Sequence, residues 1–366
     1  MSAASAAEMG RGVDVASIER ELAALWQPTG DAAEQHQPAT RACMSNLLIY
    51  CETGAAANEV AGEIDPIVQQ HPSRVLILVS EDSGGGREVD AFVSATCYAG
   101  EGGRRVCAES VTIYAGAAPE RRLPATARPL VIGDLPTALW WTSAQPAVLA
   151  GDLFRELASM SRQVILDSAA WPDPLLGLAA MARWSSSAAG ESELSDLAWT
   201  RTHPWRSALG QSLAPQSVPG ALGSIRRVDI EYGSSGTSGA LLVAGWIASR
   251  LGWEQLSARA TRGRFEARYR GRGGEVSVAA KEIAAPTGLQ SVTLAWDESD
   301  EPRTLALRRM QDDRLGVIRG ASAPHHVRPL GERGRAWLVA RELADLGRDR
   351  VFHEALQASR RLVDGS

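Results

Sequence analysis

Residues 232–253, YGSSGTSGALLVAGWIASRLGW, join a strand-like apolar run, Ile225 to Ile230, to an apolar helix through a turn of glycines and hydroxyls. That layout can cradle phosphate, because unpaired backbone N–H groups at a helix N-terminus attract an anion. Gly233, Ser234, Ser235, Gly236, Thr237, Ser238 and Gly239 are therefore a candidate anion-binding loop. A Walker A loop also needs a lysine directly after its second glycine. None is present, and Lys281 is the only lysine in the chain. The spacing Gly233-x-x-Gly236-x-x-Gly239 is not the G-x-G-x-x-G dinucleotide fingerprint either. Two readings stay open. Either the turn holds one anion, as in an enzyme or binding protein of sugar-phosphate or nucleotide metabolism, or its hydroxyls cap its own helix.

The other reactive side chains are less organised. His36, His71, His203, His325, His326 and His353 are scattered, with no C-x-x-C or H-E-x-x-H spacing, so no metal site is expected. G-x-S-x-G is absent, and no carboxylate pair stands out as acid and base. Neither catalytic residues nor a cofactor are expected. Two alternating runs flank Glu101-Gly102-Gly103 and predict an antiparallel hairpin. Counting outward from Gly102 sets Cys97 opposite Cys107. Opposed Cβ atoms lie about 4.5–5.5 Å apart, close to disulfide range. The pair reads as two small buried residues or as redox-responsive thiols.

Tryptophan is over-represented, with eleven against four phenylalanines and five tyrosines. Trp140 and Trp141 in LPTALWWTSAQP, and Trp199 and Trp205 in DLAWTRTHPWRSALG, lie among polar residues and prolines, the latter two beside Arg201 and Arg206. Trp and Arg dominate the energetics of protein interfaces, so these six residues are candidate partner contacts, with an internal seam as the other reading.

The elements that must position these groups follow two rhythms. Val13–Gln27 has the apolar spacing of an amphipathic helix. Asn46–Cys51, Arg74–Ser80, Pro129–Ile132, Ala138–Trp141 and Gln163–Asp167 are short apolar runs separated by helical stretches near 55–70 and 147–160. Such runs predict a parallel sheet covered on both faces. FEARYRG, EVSVAAKEI, LQSVTLAWD, RTLALRRM and RLGVIRG then read as successive antiparallel strands, followed by one long helix over about 333–362. The expected fold is α/β. It has a disordered lead (1–12), a Rossmann-like sandwich with an edge hairpin (13–185), a linker near 185–193, and an α+β domain with a mostly antiparallel sheet (194–366).

With 366 residues, two domains are the natural division. A net charge of −5 gives no basic face for nucleic acid, and no apolar run is long enough for a membrane span. The first residues lack the pattern of an export signal, and four cysteines suit a reducing cytoplasm.

Several segments, taken in order, resemble the glucose-6-phosphate dehydrogenase assembly protein family, OpcA. They are HPSRVLIL (71–78), VCAESVTIY (106–114), LVIGDLPTALWWTSAQP (130–146), VILDSAAW (164–171), DLAWTRTHPWR (196–206) and the Gly/Ser turn with its helix. The resemblance spans about residues 40–255. It implies a non-catalytic partner that promotes assembly of the dehydrogenase and allosterically tunes it, feeding the oxidative pentose phosphate pathway. In some members thiols couple this activation to thioredoxin, which for this chain would direct attention to Cys97 and Cys107.

Overall fold

The computed structural model describes residues 11–13, 17–25, 39–41, 43–81, 89–99, 105–115, 119–187, 192–214, 218, 220–298, 301–311, 313–324, 326–331, 333–345 and 347–364. Two compact units each draw on three stretches of chain. The first comprises Met1–Leu166, Ala188–Ser195 and Gly334–Gly347; the second comprises Asp167–Ser187, Asp196–Arg333 and Arg348–Ser366.

The first unit is built on a nine-stranded sheet: β1 (Arg11–Val13), β2 (Ala39–Arg41), β3 (Ser45–Cys51), β4 (Ser73–Val79), β5 (Asp90–Ala99), β6 (Arg105–Tyr114), β7 (Thr137–Trp141), β8 (Gln163–Leu166) and β9 (Glu193–Asp196). Its order is β1-β5-β6-β4-β3-β7-β8-β9, with β2 paired to β6. The run β6-β4-β3-β7-β8 is parallel, while β5 turns back antiparallel on β6. Every residue of β3, β4, β7 and β8 is buried, which explains why these segments read as unbroken apolar runs rather than alternating ones. The unit's helices are α1 (Ile18–Leu25), α2 (Gly54–Gln70), α3 (Pro119–Ala127) and α4 (Asp152–Ser159). Thr53 starts α2 by accepting the Ala56 N–H on its hydroxyl at 3.1 Å. Arg74, at the start of β4, meets Glu109 at 2.9 Å, Glu19 of α1 at 2.7 Å and the Leu130 carbonyl at 2.8 Å. Only a fully partnered guanidinium is tolerated at such depth.

The second unit carries an eight-stranded sheet: β10 (Ile225–Tyr232), β11 (Glu254–Thr261), β12 (Arg264–Gly271), β13 (Gly274–Glu282), β14 (Leu289–Glu298), β15 (Glu301–Met310), β16 (Arg314–Arg319) and β17 (His326–Pro329). The order is β11-β12-β13-β10-β14-β15-β16-β17, antiparallel except for β10 beside β13. Strict alternation along β12 buries Phe265, Ala267 and Tyr269 and leaves Arg264, Glu266 and Arg268 in water. The helices are α5 (Pro174–Ser185), α6 (Leu197–Arg201), α7 (His203–Ser212), α8 (Ala221–Ser224) and α9 (Thr237–Leu251). Gly252, at φ 64°, ends α9 in the left-handed conformation and donates to the Ser249 carbonyl.

The α/β class expected from sequence holds, with one mainly parallel and one mainly antiparallel sheet. Five details differ. The run Pro129–Ile132, expected as a strand, forms none: Arg128–Leu130 is a short 3-10 helix ahead of β7. The single C-terminal helix is two: α10 (Arg335–Ala344) packs on α2 in the first unit, and α11 (Arg350–Asp364) packs on α9 and α5 in the second. Residues 167–185, expected with the first unit, fall in the second, because α5 lies on α11. Arg11 and Gly12, expected to be disordered, pair with β5 as an edge strand. The first helix is described over Ile18–Leu25, and Val13 belongs to β1. The hairpin turn at 101–103, the middle of the linker (188–191), His36, His325 and residues 1–10 lie outside the described residues.

Candidate functional site

The motifs DSAAW, DLAWTRTHPWR and the Gly/Ser turn converge in the second unit around Asp196. Its carboxylate is fully buried and accepts three hydrogen bonds: Ser168 N–H at 3.1 Å, Ser168 Oγ at 2.5 Å and Ala198 N–H at 2.9 Å. It thereby caps α6 and fixes the turn that follows β8. Ser238, in the first turn of α9, donates to the Ser168 carbonyl at 2.8 Å. Burial pushes the Asp196 carboxyl up to about 7, opposed by the Ser168 hydroxyl and supported by neighbouring Asp167. Asp167 in turn receives both terminal nitrogens of Arg201, at 2.6 and 2.7 Å.

Trp199 and Trp205 are buried, at 4% and 2% exposure. Trp199 donates from Nε1 to Asp349 at 2.8 Å, lies against Phe352, and carries the Arg206 guanidinium on its face. Trp140 and Trp141 are each 1% exposed in the first unit. Trp140 faces Arg335 at 5.3 Å, whereas Trp141 stacks on Tyr50 at 4.0 Å and donates to the Gln145 carbonyl at 3.0 Å. These four tryptophans are core residues and cannot serve as exposed anchors. Strand β7 is covered on both faces, so its neighbouring tryptophans point in opposite directions and are both enclosed. Arg201 keeps a partly exposed guanidinium, 39% accessible, and Arg206 is half-buried.

The Gly/Ser turn is tightly built. A Cβ on Gly233 would lie 1.7 Å from the Pro286 carbonyl oxygen, and one on Gly236 would lie 2.9 Å from that of Gly288. Gly233 N–H donates to Gly288 O at 2.8 Å, and Gly236 N–H to Gly233 O at 3.1 Å. The glycines allow close backbone packing, and these two donors are committed inside the protein. Ser234 and Ser235 are exposed, Ser235 at φ 57°. The helix-capping alternative also differs from what is seen, since no side chain caps α9.

Along the hairpin, Cys97 and Cys107 are register partners, as counted from the sequence. Cys107 is disulfide-bonded, whereas Cys43 and Cys51 are in thiol form. Burial pushes the Cys51 thiol up to about 11, partly offset by the Thr142 hydroxyl and Arg335, so it is a poor nucleophile at neutral pH. Among the described residues, no group of three or more His, Cys, Asp or Glu could hold a metal ion, and no helix is long and apolar enough to cross a membrane.

In the first unit, an open cleft of about 520 Å³ lies at the C-terminal ends of β3, β4 and β7. It is lined by Tyr50, Ser80, Gln145, Leu149 and Asp152, among others. Strands β4 and β7 flank β3 on opposite sides, which makes this the topological switch point of the sheet.

Two family models match in sequence order. Residues 65–183 match the glucose-6-phosphate dehydrogenase subunit N-terminal domain, and residues 192–356 match the corresponding C-terminal domain. The chain belongs to the OpcA family. An OpcA of Nostoc punctiforme, whose provisional name places it in the OxPP cycle, is 32% identical over 207 residues, or 55% of this chain and 43% of that protein. The equivalent protein of Synechocystis sp. is 29% identical over 203 residues, covering 54% and 41%. The chain thus aligns with less than half the length of these relatives. Among solved structures, an NAD binding oxidoreductase from Klebsiella pneumoniae superposes with a TM-score of 0.51 at 13% identity, covering 88% of this chain and 96% of that one. That likeness concerns the fold alone.

The fold raises the question of a dinucleotide, whose pyrophosphate sits on the first βα turn of a Rossmann unit. In this chain the turn is Cys51-Glu52-Thr53-Gly54-Ala55, with one glycine where the fingerprint has three. Glu81 Oε2 accepts the Gly54 N–H at 2.5 Å, and the Thr53 hydroxyl takes Ala56 N–H. Glu52 accepts from the Ser143 hydroxyl at 2.5 Å. Carboxylates line the position that would receive phosphate, so the residues present do not fit the group.

Asp167, Asp196, Asp349 and Glu81 were not singled out from sequence. Asp173, Asp196 and Asp349 all cap helices, and an Asp just ahead of an apolar helical run was the available signal.

Proposed function

We propose that this chain is a non-catalytic, cytoplasmic partner of glucose-6-phosphate dehydrogenase that promotes its assembly and raises its activity by direct contact. The observation that carries this reading is the match of both family domains, in order, over most of the chain. To act this way the protein must bind one state of the dehydrogenase more tightly than another. Of the six contact candidates, Arg201 has the most exposed charged head group, and we assign it the leading role at the interface. Cys97 and Cys107 are the thiol pair through which thioredoxin would act. The phosphate-loop alternative loses support, because two donors of its turn are spent on backbone carbonyls.

The test is to purify the protein and the dehydrogenase of the same organism, then measure the dehydrogenase's KM and sedimentation with and without the partner. A lowered KM together with a heavier species is expected. No change in either overturns the proposal. Arg201→Ala should weaken the complex while leaving the melting temperature of the free protein nearly unchanged, because partly exposed ion pairs contribute only about 0–1 kcal/mol.

A further inference from the structure

We propose that the Rossmann unit is closed to dinucleotides because Glu81 occupies the phosphate position of its first βα turn. Helix α2 begins just after β3, whose C-terminal end borders the switch-point cleft, and in this topology a pyrophosphate would be held by backbone N–H groups at such a helix N-terminus. Two of those groups are already engaged. Gly54 N–H, in the first residue of α2, is held by the Glu81 carboxylate at 2.5 Å, and Ala56 N–H is held by the Thr53 hydroxyl at 3.1 Å. Glu81 reaches the turn because it stands just beyond the end of β4, the strand beside β3. Its charge complements the positive end of the helix as a phosphate would.

The surroundings reinforce the exclusion. Glu52 lies within the turn itself, and Asp152 occupies the first turn of α4 at the cleft wall. A pyrophosphate would have to displace one carboxylate and remain near others, and like charges at short range repel. Pre-filling the site in this way makes α2 self-capped. The sheet and its crevice are kept as scaffold, without the ligand for which such a crevice is ordinarily used. This inference does not depend on the identity of the protein partner.

The decisive measurements use the purified full-length chain without the dehydrogenase. NAD+ and NADP+ are titrated by calorimetry, and melting temperatures of wild type and Glu81→Ala are recorded with and without inorganic phosphate. Wild type should show no heat of binding at millimolar dinucleotide and no phosphate-dependent shift. Glu81→Ala should melt about 2–4 °C lower, as for loss of a helix cap, and recover in phosphate as the anion takes the vacated place. Sub-millimolar binding of either dinucleotide to wild type overturns the proposal. So does a Glu81→Ala protein that melts like wild type, or whose melting phosphate fails to raise. If Glu81→Ala does not fold, Glu81→Gln replaces it, keeping an acceptor for Gly54 while removing the charge. The wild-type titration decides the dinucleotide question in either case. A chain that bound NADP+ and still activated the dehydrogenase would sink this inference and leave the partner reading standing.

Discussion

The Arg206 guanidinium lies over the Trp199 ring, 3.4 Å from its centroid, while the indole N–H of the same ring bonds Asp349. A tryptophan held on its face, edge and tip is a packing element. Trp199→Ala should therefore destabilise the folded chain by about 3–5 kcal/mol. Trp199→Phe, which keeps most of the ring but not the N–H, should cost about 0.5–1.5 kcal/mol, because the exposed Asp349 carboxylate can turn to water instead. Urea unfolding of the two variants checks the ranking. Complex formation with the dehydrogenase should fall only in proportion to the fraction unfolded.

Asp196 gives stability a pH dependence of definite sign. Its folded carboxyl titrates at about 7, against 3.8 for an unperturbed group. A group raised on folding contributes its full stability below the unfolded value and loses it as pH rises through the folded value. Between pH 4 and 7 this residue should make the chain progressively less stable. Asp196→Asn can still accept the two backbone N–H groups and should flatten that slope. Denaturation midpoints measured across this range would refute the assignment if the two proteins ran parallel.

Two glycines of the same turn should respond in opposite ways. Gly233→Ala forces a Cβ onto the Pro286 carbonyl and should destabilise by about 3 kcal/mol or prevent folding. Gly239→Ala meets only ordinary contacts, at 3.6 Å from Thr202 and 3.8 Å from Leu289. Within the first turn of α9 it should be neutral or stabilising by up to about 1 kcal/mol. Thermal melts of the pair distinguish a packed strand-to-helix turn from an open ligand loop, which would treat them alike.

The α9–α11 crossing supplies another test. A Cβ on Gly245 would come within 2.4 Å of the Ala355 carbonyl oxygen and 2.5 Å of Ser359 Oγ. Gly245→Ala should cost about 1–3 kcal/mol even though alanine is the better helix former. A stability equal to wild type would show that the two helices can move apart at little cost.

Reduction probes the hairpin. Dithiothreitol should lower the stability of wild type by about 2–4 kcal/mol, and Cys107→Ser should show that loss already and not respond further. Equal melting of reduced and oxidised wild type would remove the cysteine pair from consideration as a structural or regulatory element.

The sheet of the first unit was legible because each of its central strands is buried on both faces, so composition alone marked it. The opposition of Cys97 and Cys107 was legible because counting from a tight turn fixes register. The fate of the tryptophans was not. The polar, proline-containing neighbours of Trp199 describe the local chain, whereas its burial depends on Asp349 and Phe352, far away in sequence. The break between α10 and α11 was written in Asp345, Gly347 and Asp349, but apolar spacing on both sides masked it. Glu81 was hidden for another reason: a carboxylate standing in for a ligand has no sequence pattern of its own.

The interleaving of the two units has a consequence for how the chain comes into being. Helix α10 completes the first unit, yet it lies beyond the whole second sheet in sequence. During synthesis the α2 surface that α10 will cover stays bare until the whole second sheet has been made. Neither unit can be released whole by a single cut, and a truncation ahead of Arg335 would deprive both at once.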